Sequence, residues 1–98
     1  MKRDEAITRL KAAELVLRAR GVRHLALFGS IARGDSRADS DVDVLIDVDA
    51  STKFSLLDRA GAVNALTDWL GCVVDVVRRD LLPAKSLGRI LPDSVDVF

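Results

Sequence analysis

The sequence has no excess of charge of either sign and very few side chains that bind zinc or form disulfides. Lysine plus arginine equals aspartate plus glutamate, at 15 each, so the overall field favours neither nucleic acid nor a membrane surface. The single cysteine, Cys72, has no partner for an internal disulfide, and its apolar setting predicts a buried thiol. The single histidine, His24, argues against a zinc site or a Ser–His–acid triad, and we expect it to be structural or exposed.

Long apolar runs are also missing. The longest span only a few residues, so we expect neither a membrane span nor a signal peptide. Ninety-eight residues, 49% of them hydrophobic, are enough for one small domain over residues 1–98. The lone cysteine fits a cytoplasmic protein. A core of this size has little area to spare, so a homo-oligomer or hetero-oligomer is a natural way to complete it.

Aspartate is abundant in one short segment. Residues 35–50 carry six acidic side chains and one basic one, whereas residues 1–34 carry three acidic and eight basic ones. Carboxylates crowded in this way repel one another unless water solvates them or a cation binds among them. The function of this acidic segment, and of the Gly29-Ser30 pair before it, is therefore the main question that the sequence raises.

The spacing of apolar residues predicts both helices and strands. The predicted elements are a helix over residues 4–20, a strand over 22–28, a short helical turn over 30–34, a strand over 41–49, a helix over 55–70, a strand over 72–77 and a short terminal helix ending before Pro92. The apolar stripe of the second long helix is predicted to contain Leu56, Ala60, Val63, Leu66 or Ala62, and Leu70. This order predicts an α+β domain (mixed α/β) with a small mixed β-sheet flanked by helices.

The segment "DVDVLIDVD" alternates almost perfectly, as a strand with one buried face does. Its valines and Ile46 fall on one face. Asp41, Asp43, Leu45, Asp47 and Asp49 fall on the other. The strand is therefore predicted to bury its aliphatic face and to present carboxylates on the opposite one.

Two familiar loop motifs do not explain this segment. "GSIARGDS" has the glycine spacing of a phosphate-binding P-loop, but Asp35 occupies the lysine position and would repel phosphates. Asp39, Asp41 and Asp43 match positions one, three and five of an EF-hand calcium loop. That loop also needs a glycine where Val44 stands and a glutamate where Ala50 stands.

A two-metal site for phosphoryl transfer fits the residues better. Asp41 and Asp43 are two residues apart on a strand, so both carboxylates project from one face, with Cα atoms roughly 6–7 Å apart. Asp75, alone in the apolar run "CVVDVV", is the natural third carboxylate, because burying it without a cation would be costly. Gly29 allows a ligand to approach the backbone, and Ser30 begins a short helix whose amides favour an anion.

The remaining polar residues have simpler interpretations. Asp35, Asp47 and Asp49 are expected to be solvated, and Asp39 is expected to be a turn residue. Trp69 is expected to pack in the core or to contact a partner. Arg78 and Arg79 are expected to be a solvated pair, and steering of a phosphate is the less favoured alternative.

With Gly29-Ser30, ten intervening residues and then Asp41-x-Asp43, the chain resembles the DNA polymerase β-like nucleotidyltransferase superfamily. The stretch "LFGSIARGDSRADSDVDVLID" is similar in particular to the minimal nucleotidyltransferase (MNT) domain, and the similarity extends over nearly the whole chain. It implies the polymerase β-like fold. The 23 residues after Asp75 are short and interrupted by proline, so the closing helix and final strand of the family are expected to be curtailed.

The resemblance also implies roles for single residues. Asp41, Asp43 and Asp75 would be the catalytic residues and the ligands of two magnesium ions, with Asp75 helping to activate the attacking hydroxyl. Gly29 and Ser30 would hold the β and γ phosphates of ATP. Arg33 would either contact those phosphates or pair with a nearby aspartate.

MNT domains of this size are typically antitoxins encoded beside a toxin of the higher eukaryote and prokaryote nucleotide-binding (HEPN) type. The resemblance implies transfer of AMP from ATP to a tyrosine of that toxin, with no direct binding of nucleic acid. Two alternatives remain open: neutralisation of the partner by binding alone, and nucleotidyl transfer to a small molecule or RNA.

Overall fold

A computed structural model of the chain describes residues 1–51 and 53–98. In chain order the elements are α1 (Arg3–Ala12), α2 (Glu14–Ala19), β1 (Val22–Phe28), α3 (Gly29–Arg33), β2 (Val42–Val48), α4 (Leu56–Leu70), β3 (Val74–Arg78), α5 (Ala84–Ile90) and β4 (Val95–Asp96). Single 3₁₀ turns at Arg79–Leu81 and Leu91–Asp93 lie on either side of α5. None of the helices in these described ranges has the length and apolar character needed to cross a membrane.

The sheet has four strands in the order β3-β2-β1-β4. β1 runs antiparallel to both β2 and β4, whereas β2 and β3 are parallel. This is the small mixed sheet that the sequence predicts. The final strand is curtailed to two residues, Val95 and Asp96, yet it pairs with Leu27 and Ala26 near the end of β1.

One face of the sheet packs against the helices and forms the core. Val42, Val44 and Ile46 of β2 are all buried there, as the alternation predicts. Helix residues from α1 to α4 complete the same cluster: Ala6, Leu10, Leu17, Ile31, Ala62, Leu66 and Leu70. On the opposite face Leu45 is also buried, at 1% exposure, so that face is not wholly acidic or solvated.

The first predicted helix is divided into α1 and α2 at Ala13. The amide of Ala13 donates to the carbonyl of Leu10, an i→i−3 bond that interrupts the α-helical pattern. Ala6, Leu10, Ala13 and Leu17 nevertheless all remain buried. Because the apolar spacing is the same on both sides of the interruption, periodicity could not reveal it.

The predicted stripe of α4 is correct at its C-terminal end and wrong at its start. Leu66 and Leu70 are buried, but Leu56 is 86% exposed and Ala60 is also exposed. Ala62, which the pattern offered as the alternative to Leu66, is buried together with Leu66. Helical spacing identifies a face only where a neighbouring element covers it, and the first turn of α4 is left uncovered.

Candidate active site

The Gly-Ser turn connects the end of β1 to the start of α3. Gly29 has a φ of +80°, a conformation that side-chain-bearing residues rarely adopt. A Cβ atom built on Gly29 would overlap the Oδ2 atom of Asp43. Phe28, just before the turn, is the register partner of Asp43 across the antiparallel pair. The turn backbone is therefore held directly against one of the carboxylates predicted to bind metal.

Asp43 also faces the third carboxylate. On the parallel strands β2 and β3, Asp43 and Asp75 are register partners. Asp41 lies one residue before β2 begins and is exposed, as Asp75 is, whereas Asp43 is half-buried. Thus all three predicted carboxylates lie at neighbouring positions at one end of the sheet.

Electrostatics single out Asp43 within this group. Desolvation is the largest cause that raises the pKa of Asp43 above its ordinary value, followed by repulsion from Asp75 and then from Asp41. The Arg33 guanidinium acts in the opposite direction but does not cancel these effects. The ionised form of Asp43 is thus disfavoured until a positive charge approaches it.

The donor set suits a hard divalent cation, which prefers carboxylate oxygens and takes further ligands from water and substrate phosphates. Within residues 1–51 and 53–98, no three acidic, histidine or cysteine side chains converge closely enough to form a complete metal cage by themselves. The mutual repulsion at Asp43 and the open side of the turn fit a site that a metal–nucleotide complex completes. Asp41, Asp43 and Asp75 are the residues that would hold the metal.

An open cavity of about 370 Å³ lies over the turn. It is lined by Phe28, Gly29, Ser30, Arg33, Asp43, Arg89, Ile90 and Asp93. Gly29 and Ser30, which are predicted to contact the nucleotide, thus line the same cavity as Asp43, and so does Arg33, for which a phosphate contact is one of two alternatives. Asp41 and Asp75 lie outside this lining.

Sequence reasoning did not identify the three cavity residues near the C-terminus: Arg89, Ile90 and Asp93. Arg89 and Ile90 lie within the predicted terminal helix and Asp93 follows it, and no local motif sets the three apart. Pairing of β4 with Ala26 and Leu27 returns this segment to the end of β1, where the Gly-Ser turn begins. Only long-range strand pairing therefore places them in the site.

Arg33 pairs with aspartates, one of the two arrangements left open by the sequence. Its Nε atom donates to Asp35 at 3.2 Å, and its Nη1 atom lies 4.0 Å from a carboxylate oxygen of Asp93. Because Arg33 also lines the cavity, these pairs leave it beside the space that a nucleotide would occupy.

The expectation that Asp47 is simply solvated is wrong. Arg79 donates from Nε to Asp47 at 2.8 Å, so Arg79 is likewise not part of a solvated pair. Its neighbour Arg78 donates to Asp80 and lies over the ring of Phe54. These contacts connect the end of β3 to β2 and to the segment before α4.

Three more aspartates behave as surface or turn residues. Asp49 accepts hydrogen bonds from the hydroxyl and the amide of Ser51. These two hydrogen bonds are the main reason that the pKa of Asp49 lies below its ordinary value. Asp35 is exposed and paired with Arg33, and Asp39 is exposed in a turn.

The expectations for the other rare residues are met in part. His24 is exposed. Cys72 is only partly buried, contrary to prediction, because it follows the C-terminal end of α4 at the margin of the core. Trp69 is 53% exposed, and its indole nitrogen donates to the carbonyl of Arg9, so it is not a core residue.

Comparison with known proteins identifies the family. The sequence model that describes the nucleotidyltransferase domain family matches residues 10–96 of this chain. The chain belongs to this family. A protein of Thermococcus cleftensis named protein adenylyltransferase MntA is 36% identical over 95 residues, which cover 96% of this chain and 94% of that protein.

Solved structures agree on the fold. One assigned to the minimal nucleotidyltransferases is 30% identical, with a TM-score of 0.82 over 97% of this chain and 95% of that one. A chain of a toxin–antitoxin complex crystallised with AMP-PNP gives a TM-score of 0.75 at 20% identity, covering 92% of this chain and 72% of that one. A chain from the complex of the tri-AMPylated HEPN toxin of Shewanella oneidensis with its MNT antitoxin gives a TM-score of 0.65 at 15% identity, covering 90% of this chain and 68% of that one. The α+β fold and the nucleotidyltransferase family predicted from the sequence are confirmed.

Proposed function

We propose that this nucleotidyltransferase is a metal-dependent protein adenylyltransferase and acts as a cytoplasmic antitoxin. It transfers AMP from ATP to a tyrosine hydroxyl of a HEPN-type toxin. The observation that carries the proposal is the contact of the Gly29 backbone with Asp43, whose register partner is Asp75. The similarity to the T. cleftensis adenylyltransferase over 96% of the chain supports the choice of AMP and of a protein acceptor.

The reaction is a displacement at the α-phosphorus of ATP. The acceptor oxygen forms a bond to this phosphorus, the bond to the bridging oxygen breaks, and pyrophosphate leaves. Asp75, which is exposed and is the register partner of Asp43, would receive the hydroxyl proton. Magnesium held by Asp41, Asp43 and Asp75 would supply charge to the phosphates and lower the pKa of the hydroxyl.

The turn and the cavity orient the nucleotide. Because Gly29 has no side chain, this residue places nothing between the phosphates and Asp43, so the phosphates can approach the turn backbone closely. Arg33 lines the same cavity with its positive charge. Alignment and electrostatic stabilisation therefore account for most of the catalysis expected from this chain.

The test is a transfer assay with the purified chain, magnesium and the purified protein encoded beside it. ATP labelled at the α-phosphate should label the partner, whereas ATP labelled at the γ-phosphate should not. Combining Asp41→Ala with Asp43→Ala should abolish labelling. Asp39→Ala, which removes an exposed turn carboxylate from the same segment, should leave labelling unchanged. Replacing the acceptor tyrosine of the partner by phenylalanine should also abolish the label.

Other outcomes identify the alternatives. If no label reaches the partner and the double variant still suppresses toxicity in cells, the chain neutralises its partner by binding alone. If the label instead appears on RNA or on a small molecule of the extract, the acceptor assignment is wrong while nucleotidyl transfer stands.

A further inference from the structure

Two arginines line the cavity over the Gly-Ser turn, and their surroundings differ. Arg33 is already engaged by Asp35 and Asp93. Arg89, in the last turn of α5, is exposed and forms no ion pair or side-chain hydrogen bond with any residue in the ranges 1–51 and 53–98. Arg89 is therefore the cavity cation that is available to a ligand.

The charges of the cavity indicate which ligand would need this cation. Asp43 and Asp93 offset the two arginines, so the lining has no net positive charge for a polyphosphate. A metal bound at Asp43 would neutralise the phosphates from one side only. Among the described residues that line the cavity from α5 and the turn after it, Arg89 is the only cation, and it has no ion pair.

Arginine suits this task because its planar guanidinium donates two parallel hydrogen bonds to phosphate oxygens. α5 lies outside the Gly-Ser turn and the carboxylate strands, so a contact from Arg89 would approach the ligand from a separate element. The β4–β1 pairing returns the segment after α5 to the end of β1.

We propose that Arg89 binds the phosphates of the nucleotide that leave as pyrophosphate. The inference rests on the proposed function, because it takes the cavity over the turn as the nucleotide cavity. Arg89 then contributes affinity for the polyphosphate and not for the adenosine monophosphate part.

The test measures binding to the full chain by calorimetry in the presence of magnesium, with inorganic tripolyphosphate, ATP and AMP as ligands. Arg89→Ala should weaken tripolyphosphate and ATP about tenfold and change AMP less than about twofold. Arg89→Lys, which retains the charge without the bidentate geometry, should recover part of the loss. The matched control is Lys85→Ala, which removes an exposed cation on the same helix, outside the cavity lining.

A purely structural role for Arg89, at the C-terminal end of α5, would lower the melting temperature and leave the affinity of the folded protein for tripolyphosphate unchanged. That result would overturn the proposal. So would an equal loss of affinity for AMP, an equal loss in Lys85→Ala, or the absence of tripolyphosphate binding by the unaltered chain.

Failure of the proposed function has a different signature. If the unaltered chain transfers no label to its partner but Arg89 still governs tripolyphosphate affinity, only the assignment of the reaction falls. If the label is transferred and Arg89→Ala binds tripolyphosphate normally, only the role of Arg89 falls.

Discussion

Gly29 and Asp43 are in such close contact that no side chain fits between them. A Cβ atom at Gly29 would overlap the Oδ2 atom of Asp43, and the φ of +80° at Gly29 is itself unfavourable for other residues. The turn proposed to hold the phosphates and a carboxylate proposed to bind the metal are thus parts of one contact.

Gly29→Ala should destabilise the fold more than Gly34→Ala does. Gly34 has the same φ of +80°, but a Cβ atom there would meet nothing within 4 Å. Gly34→Ala should therefore cost only the backbone strain, about 1 kcal/mol, and Gly29→Ala at least about 1 kcal/mol more. Urea unfolding measures both. In the Asp43→Ala background most of the extra cost should disappear, and its persistence would show that the contact is not its source.

Asp43→Asn should stabilise the metal-free protein at neutral pH. Because the pKa of Asp43 is raised in the folded state, its ionised form destabilises the fold above that pKa. The penalty is lost as pH falls through the raised pKa toward the ordinary aspartate value near 4. Melting temperatures measured from neutral pH into the acid range should therefore converge for the two proteins. Equal melting temperatures at neutral pH, or a less stable variant, would contradict the assignment.

Asp75→Asn should reduce AMP transfer by about a hundredfold or more, because it removes a metal ligand and the expected proton acceptor. Asp47→Asn is the matched control on the neighbouring strand. This substitution breaks the ion pair between Asp47 and Arg79. Because the Arg79 side chain is 37% exposed and the Asp47 side chain 31% exposed, the loss should cost at most about 1 kcal/mol of stability and leave transfer intact. Comparable losses of transfer in the two variants would refute a special role for Asp75. Addition of EDTA should abolish transfer by the unaltered chain.

Ser55→Ala should destabilise the protein by about 1 kcal/mol without affecting nucleotide binding. The Ser55 hydroxyl accepts from the amide of Asp58, and the Asp58 carboxylate accepts from the amide of Ser55, which together cap α4. Ser55→Asp preserves a side-chain acceptor and should retain most of the stability. If thermal unfolding shows the two variants to be equally destabilised, the cap is not what Ser55 contributes.

Local sequence patterns predicted much of this fold. The bounds of β1 agree with the strand predicted over residues 22–28, and the buried face of β2 agrees with its valines. The exposed start of α4 was not predictable, because Leu56 satisfies helical spacing whether or not another element covers it. Asp47 was misinterpreted for a related reason: its partner Arg79 is 32 residues away in the chain.

The sequence alone determined that Asp41 and Asp43 stand at alternate positions where a strand begins, and that a Gly-Ser pair comes ten residues before Asp41. The first follows from the two-residue repeat of an extended chain, and the second from the order of residues along the chain. Tertiary structure decided that Asp75 faces Asp43, through the parallel register of β2 and β3. It also decided that Arg89 reaches the cavity, through the pairing of β4 with β1. Such registers depend on which distant strands bury surface together, and no local repeat encodes that choice.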